Sequence, residues 1–258
     1  MQDFETVIYR LDAGVATLTL NRPDRLNAWT PQMRDELAHA IDAANDDSSI
    51  GSIVMTGEGR GFCAGADIGV VFEQKEPQEN ARGGGGIDWI GLCRRSKPLI
   101  AAVNGPAVGI GLTMILPFDV ILAAEGAKIG LPFVRMGIVP ELGSSHWLAR
   151  RVGFGRASEM MLTGRLLTGV EAAAIGLALA AYPADRLLGE ALALGEGIAA
   201  GPDPMLRMTK ELLTVNAMEP DWALVQRREG EKLALCWDMP EHKEAIAAFR
   251  EKRPARFR

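Results

Sequence analysis

Histidine and cysteine, on which much nucleophilic and metal-assisted chemistry rests, are scarce, with three of each in 258 residues. Cys63, Cys93 and Cys236 are odd in number and widely spaced. That suits neither a disulfide framework nor a zinc site, and it points to a reducing compartment. Cys63 reads as a small packed hydrophobe, and none of His39, His146 or His242 falls in a motif. Aromatic residues make up only 6% of the chain, are not interleaved with basic ones, and accompany a net charge of −5. A nucleic-acid-binding surface is therefore not expected. Two local basic groups remain, Arg94-Arg95-Ser96-Lys97 and Lys252-Arg253. A solvated face is the plainer reading of each than a phosphate site. No run of about 20 apolar residues occurs, and the acidic N-terminus has no signal-like apolar core. The expectation is a cytoplasmic chain without membrane contact. No metal-ligand spacing is present.

What is present is an ordinary globular balance, 48% apolar and 24% charged, with length enough for one core or a core plus a helical appendage. Residues 7–10 and 14–20 alternate around Asp12-Ala13-Gly14 as in a hairpin. Thr30-Pro31 reads as a helix cap and first turn, with Met33, Leu37, Ala40 and Ile41 at helical spacing to about Ala44. Short apolar strands are predicted at 50–56, 99–103 and 119–124. Strand, turn and helix alternate to about Ala181, which predicts an α/β core with turns grouped at strand ends. Four glycines, Gly83 to Gly86, predict a mobile loop before a helix opened by Trp89. A phosphate cradle is disfavoured there because no Lys-Ser/Thr follows. From Ala184 onward the pattern is helical, with starts at Asp203-Pro204 and punctuation at Glu219-Pro220-Asp221 and Asp238-Met239-Pro240.

Three stretches stand out: residues 61–68 (Gly-Phe-Cys-Ala-Gly-Ala-Asp-Ile), 103–111 (Val-Asn-Gly-Pro-Ala-Val-Gly-Ile-Gly) and 130–145, ending Val139-Pro140-Glu141-Leu142-Gly143-Ser144-Ser145. Each is a small-residue turn after an apolar run, where main-chain N–H groups can approach a ligand closely. The first two lie about forty residues apart and are accompanied by Asn21-Arg22-Pro23 and Asn104-Gly105-Pro106. In that order and spacing the pattern resembles the enoyl-CoA hydratase/isomerase (crotonase) family, over essentially the whole chain.

The resemblance implies an α/β fold, a crotonase-like spiral of repeated ββα units with a C-terminal helical trimerisation region. It divides the chain into a core over residues 1–195 and a helical oligomerisation region over 196–258. It implies an acyl-CoA thioester as substrate, coenzyme A as its carrier rather than a resident cofactor, and a homotrimer or dimer of trimers. Apolar Trp222, Leu224, Leu233, Leu235 and Trp237 are compatible with such an interface. The family's two oxyanion donors fall on the N–H groups of Ala66 and Ile110, the second at the start of a helix whose dipole adds positive potential. Two preorganised donors at the thioester oxygen lower an enolate-forming barrier by about 3 kcal/mol each. Ile110 is a departure, because the family usually has glycine there, and its β-branched side chain narrows the approach.

A second departure concerns the acid/base groups. The positions of the two hydratase glutamates are Thr113 and Phe133, and a hydroxyl and a benzyl group do not replace that pair. Instead, Glu141 stands eight residues after Phe133. In the resemblance it looks like the single base of 3-enoyl-CoA to 2-enoyl-CoA isomerases, with Phe133 as an apolar wall raising its pKa. A role near the N-terminus of a following helix is open to Glu141 on local sequence alone. The missing glutamates favour catalysis. A hydratase or other lyase with atypical residues, and an acyl-CoA or RNA-binding relative without chemistry, are the alternatives. Asp67 is expected to hold its turn, and His146 to lie on a helix surface. For the carrier, the resemblance implies contacts from Arg25 (at the pyrophosphate), Ala28, Ala64, Ala66, Asp67 and Ile68. It adds Phe249 and Lys252 across a subunit boundary, and residues 69–89 at the acyl end.

Overall fold

The computed structural model describes residues 4–71 and 86–258, so glycines 83–85 and most of the segment expected at the acyl end lie outside the described residues. Antiparallel β1 (Val7–Asp12) and β2 (Val15–Leu20) form the expected hairpin, and α1 (Pro31–Asp46) follows. The Thr30 hydroxyl caps α1 by accepting from the Met33 amide at 3.2 Å, and Met33, Leu37, Ala40, Ile41 and Ala44 are buried. Next come β3 (Ser52–Gly57), α2 (Ile68–Val71), α3 (Trp89–Arg95) and β4 (Leu99–Val103). These lead to β5 (Ala107–Val108), α4 (Ile110–Thr113), β6 (Val120–Ala124) and β7 (Ile129–Gly130). Two consecutive helices, α5 (Ser144–Val152) and α6 (Phe154–Thr163), precede β8 (Leu166–Leu167), α7 (Gly169–Ala174) and β9 (Ala180–Tyr182). Four helices complete the chain: α8 (Ala184–Ala199), α9 (Asp203–Asn216), α10 (Trp222–Cys236) and α11 (Pro240–Glu251).

The main sheet has the order β1-β2-β3-β4-β6-β9 and is parallel from β2 onward; a second, small sheet has the order β5-β7-β8. Every residue of β3 and β4 is buried, as a parallel strand covered on both faces requires. The path is a spiral. Each turn runs through a main-sheet strand, then a short extended segment, then a helix or helical turn. The extended segments stack in parallel: Trp29 pairs with Ala66, Cys63 with Ala107, and Ala107 with Ile129. Loops from successive turns are thereby gathered on one side of the main sheet.

Helix α8 lies across β2, β3, β4 and β6, burying Leu187, Ala191, Gly195 and Ala199; it spans the division expected between residues 195 and 196. Helix α9 is wired to the core by Lys210, whose ammonium lies 2.7 Å from Asp119 and donates to the Lys97 carbonyl at 3.1 Å. Asp119 also accepts from Arg94 at 2.9 Å and from the Leu99 amide at 2.8 Å. Buried Lys97 donates to the Ala44 carbonyl at 2.8 Å. The cluster Arg94-Arg95-Ser96-Lys97 is thus chiefly internal wiring, which corrects its reading as a solvated face. A net charge cannot reveal this. Lysine and arginine are buried only where carbonyls or carboxylates receive them, and those partners come from distant segments.

Candidate active site

The first loop is built from carbonyl ties. Buried Asn27 donates to the Glu58 and Gly61 carbonyls at 3.0 and 2.8 Å, and Asn104 donates to those of Gly57 and Gly59 at 2.9 Å each. Asn27 and the motif residue Asn104 thus grip one turn, residues 57–61, from either side. Beyond it, the Ala64 amide donates to the Leu26 carbonyl at 3.0 Å and the Trp29 amide to the Gly65 carbonyl at 2.8 Å. The Asp67 amide closes the pattern on the Trp29 carbonyl at 2.9 Å. In a parallel bridge of this kind the residue between two bonded positions turns its own N–H away from the partner. That residue is Ala66, and its amide has no acceptor among the described residues.

The second loop is fixed to the first. Cys63 donates its amide to the Pro106 carbonyl at 2.8 Å and accepts from the Val108 amide at 3.0 Å. Gly111 rests on Cys63 so closely that a Cβ there would lie 2.0 Å from the Cys63 carbonyl oxygen. Gly109, at φ 55°, turns the chain into α4; its carbonyl accepts from the Leu112 and Thr113 amides, which leaves the Ile110 amide without an acceptor among the described residues. Gly65, at φ 122°, precedes Ala66 as Gly109 precedes Ile110. Each proposed donor therefore follows a backbone conformation that side-chain-bearing residues avoid.

Glu141 belongs to the turn before α5. Leu142 and Gly143 follow it at φ 50° and 63°, two successive left-handed residues, and its carbonyl accepts from the Ser144 amide at 3.0 Å. Its carboxylate does not point into bulk solvent. It is half-buried and accepts a short hydrogen bond from the Thr113 hydroxyl. Thr113 is fully buried on α4, one helical turn beyond Ile110. Burial raises the Glu141 pKa above the ordinary glutamate value, and the Thr113 hydrogen bond offsets part of that rise. Phe133 is buried against the second loop, its ring 3.9 Å from where a Cβ on Gly109 would stand. Arg151, inside the protein on α5, donates to the carbonyls of Leu116 (2.9 Å) and Phe118, tying the Glu141 turn to the chain after α4. Burial pulls its pKa down to about 10.

Of the remaining expected residues, Arg25 is exposed on the loop that carries half-buried Ala28, beside half-buried Ala64 and Asp67, and Ile68 is 55% exposed. Asp67 is held by a side chain as well as by its turn. The Arg22 guanidinium, 2.9 Å away, keeps its carboxyl below the usual range and also donates to the Ala28 carbonyl. Burial pushes the Cys63 thiol up to about 11, so it is inert packing, and His146 is exposed on α5. Phe249, 83% exposed, lies in the last turn of α11, and Lys252 caps its C-terminus. Sequence reasoning missed Thr113 as a partner, Arg22 as a clamp, and Trp89, which donates to the Met114 carbonyl at 2.8 Å. The usable signal for Thr113 was its position three residues after Ile110, on the same helix face.

A spiral of strand–strand–helix units with two amide-bearing loops beside one half-buried carboxyl defines a crotonase-like α/β protein. Residues 10–258 match the family described as enoyl-CoA hydratase/isomerase. A probable enoyl-CoA hydratase of Rhizobium meliloti (strain 1021) is 36% identical over 259 residues, 99% of this chain and 98% of that protein. Enoyl-CoA hydratase ACTT3 of Alternaria alternata is 35% identical over 247 residues, 95% of this chain and 83% of its own. Among solved structures, an enoyl-CoA hydratase from Bacillus anthracis aligns with a TM-score of 0.91 at 27% identity, covering 98% of this chain and 99% of that one. The chain belongs to the enoyl-CoA hydratase/isomerase family, whose members are acyl-CoA enzymes. Among the described residues, no helix is long and apolar enough to cross a membrane, and no cluster of side chains is suited to a metal ion.

Proposed function

We propose that this protein is a 3-enoyl-CoA to 2-enoyl-CoA isomerase in which Glu141 is the single acid/base group. Ionised Glu141 takes a proton from the α-carbon; the C–H electron pair becomes part of a dienolate whose oxygen is held by the amides of Ala66 and Ile110. The same carboxylic acid then returns the proton to the γ-carbon, and the oxygen's electron pair restores the thioester carbonyl. No water is consumed. Coenzyme A is the carrier, met by Arg25, Ala28, Ala64, Ala66, Asp67 and Ile68, with Phe249 and Lys252 supplied by another copy in a trimer or dimer of trimers.

One observation carries the reading. The half-buried carboxyl of Glu141 is bonded to Thr113 on the helix that begins with Ile110, while the two hydratase positions hold Thr113 itself and Phe133. A base with a raised pKa is suited to alternate between ionised and protonated forms near neutral pH. The hydratase names of the relatives favour a second reading, hydration of a 2-enoyl-CoA by other groups.

Both are tested with 3-hexenoyl-CoA and crotonyl-CoA. Isomerisation that falls by about 100-fold or more in Glu141→Gln, with acyl-CoA affinity kept, supports the isomerase. Fast hydration of crotonyl-CoA that survives Glu141→Gln supports the hydratase. Binding of both thioesters with turnover of neither identifies a non-catalytic relative.

A further inference from the structure

Resting on the reading of Glu141 as the base, we infer that Thr113 is a positioning residue whose hydroxyl favours ionised Glu141 by donating to it, with the Ile110 carbonyl as its alternative acceptor when Glu141 is protonated. The geometry offers that hydroxyl two partners. It donates to the Glu141 carboxylate, and the Ile110 carbonyl lies 3.4 Å away on the preceding turn of α4. A hydroxyl has one proton to give and lone pairs to accept with. When Glu141 is ionised, that proton goes to its Oε1. When Glu141 holds the substrate's proton, that proton stays on the oxygen facing the substrate for return to the γ-carbon, Oε1 becomes a weaker acceptor, and the hydroxyl hydrogen can turn to the Ile110 carbonyl. Ile110 already accepts from the Met114 amide at 3.0 Å, and a carbonyl has a second lone pair for this bond. No heavy atom has to travel far, and neither state leaves a buried hydroxyl without a partner.

Thr113 is fully buried, so water does not readily substitute for either bond. Burial opposes Glu141 ionisation and, among the described residues, the Thr113 hydrogen bond favours it. Among the described residues no cation is paired with Glu141. The hydroxyl is thus, among the described residues, the one group that favours the ionised base by a hydrogen bond, and it sits on the helix whose first amide is the proposed oxyanion donor. The residue that stands where the family's hydratases carry a glutamate has exchanged an acid/base duty for a supporting one.

The test compares Thr113→Val, which keeps the shape and removes the hydroxyl, with Thr113→Ser, which keeps the hydroxyl. Turnover of 3-hexenoyl-CoA is followed across pH. For Thr113→Val the acid limb of the kcat profile is expected to move up by about one pH unit, from losing one hydrogen bond to a charged group. At pH values on the acid side of both limbs, kcat is then expected to fall about tenfold with KM within about twofold, and Thr113→Ser to restore the parental limb. A Thr113→Val profile that overlays the parent, in a variant that melts cooperatively and binds acyl-CoA, overturns the inference. Should Thr113→Val fail to fold, Thr113→Ala gives the same readout; an unmoved limb there overturns it equally. The underlying reading fails separately: if Glu141→Gln retains isomerisation, Glu141 is not the base, whatever Thr113 does.

Discussion

A half-buried carboxyl is easier to keep protonated than an exposed one, and Glu141, with no cation paired to it among the described residues, is in that situation. The consequence for stability has a definite sign. Its folded pKa lies above the unfolded value, so between the two the folded chain binds more protons than the unfolded one. Stability is then present at low pH and is lost as pH rises through the folded value. Glu141→Gln removes the titration and keeps an acceptor for the Thr113 hydroxyl. It is expected to melt at a higher temperature than the parent near pH 7 and at the same temperature near pH 4, as scanning calorimetry would show. At this scale the sequence was legible where chemistry narrows the choices. Glu141 stood out because the expected glutamate positions held Thr113 and Phe133. Thr113 itself was read only as a loss, because a hydrogen bond between residues 28 positions apart depends on how two loops meet.

The loops meet through main-chain bonds rather than side-chain packing, and this sets what a small substitution does. Gly111→Ala places a methyl 2.0 Å from the Cys63 carbonyl oxygen, an approach that neither backbone can yield without separating the loops. Alanine would otherwise favour the helix over glycine by about 1 kcal/mol. The clash outweighs that preference, because displacing a donor by about 1 Å costs roughly 100-fold in rate. Gly111→Ala is expected to lose about that much kcat while keeping most of its affinity for a CoA thioester, measured by steady-state kinetics and calorimetric titration. The elements were legible in detail. The hairpin, the Thr30 cap, β4 and the starts of α3 and α9 all fall where period, cap and turn residues put them. The stacking of Trp29 on Ala66 and Cys63 on Ala107 was not, since isolated bridges leave no periodic trace.

For the whole molecule, one side of the spiral is finished and another is not. The core sheet is covered by α1 and α8, and Asp119 with Lys210 and Arg94 locks α9 against it. Helix α10 buries no residue, and Trp222 and Phe249 are 77% and 83% exposed. These surfaces suit the proposed contact with another copy, through which Phe249 and Lys252 would meet the carrier. That proposed part of the site was legible only through resemblance. What all scales share is the proposed role of one carboxyl, moving one proton across the face of a thioester dienolate. The direct measurement uses α-deuterated 3-hexenoyl-CoA in ordinary water, with the product's label located by NMR and mass spectrometry. Deuterium carried to the γ-carbon, in a transfer abolished by Glu141→Gln, is the predicted result. Continued isomerisation by Glu141→Gln, with no label at the γ-carbon in either enzyme, would contradict the account.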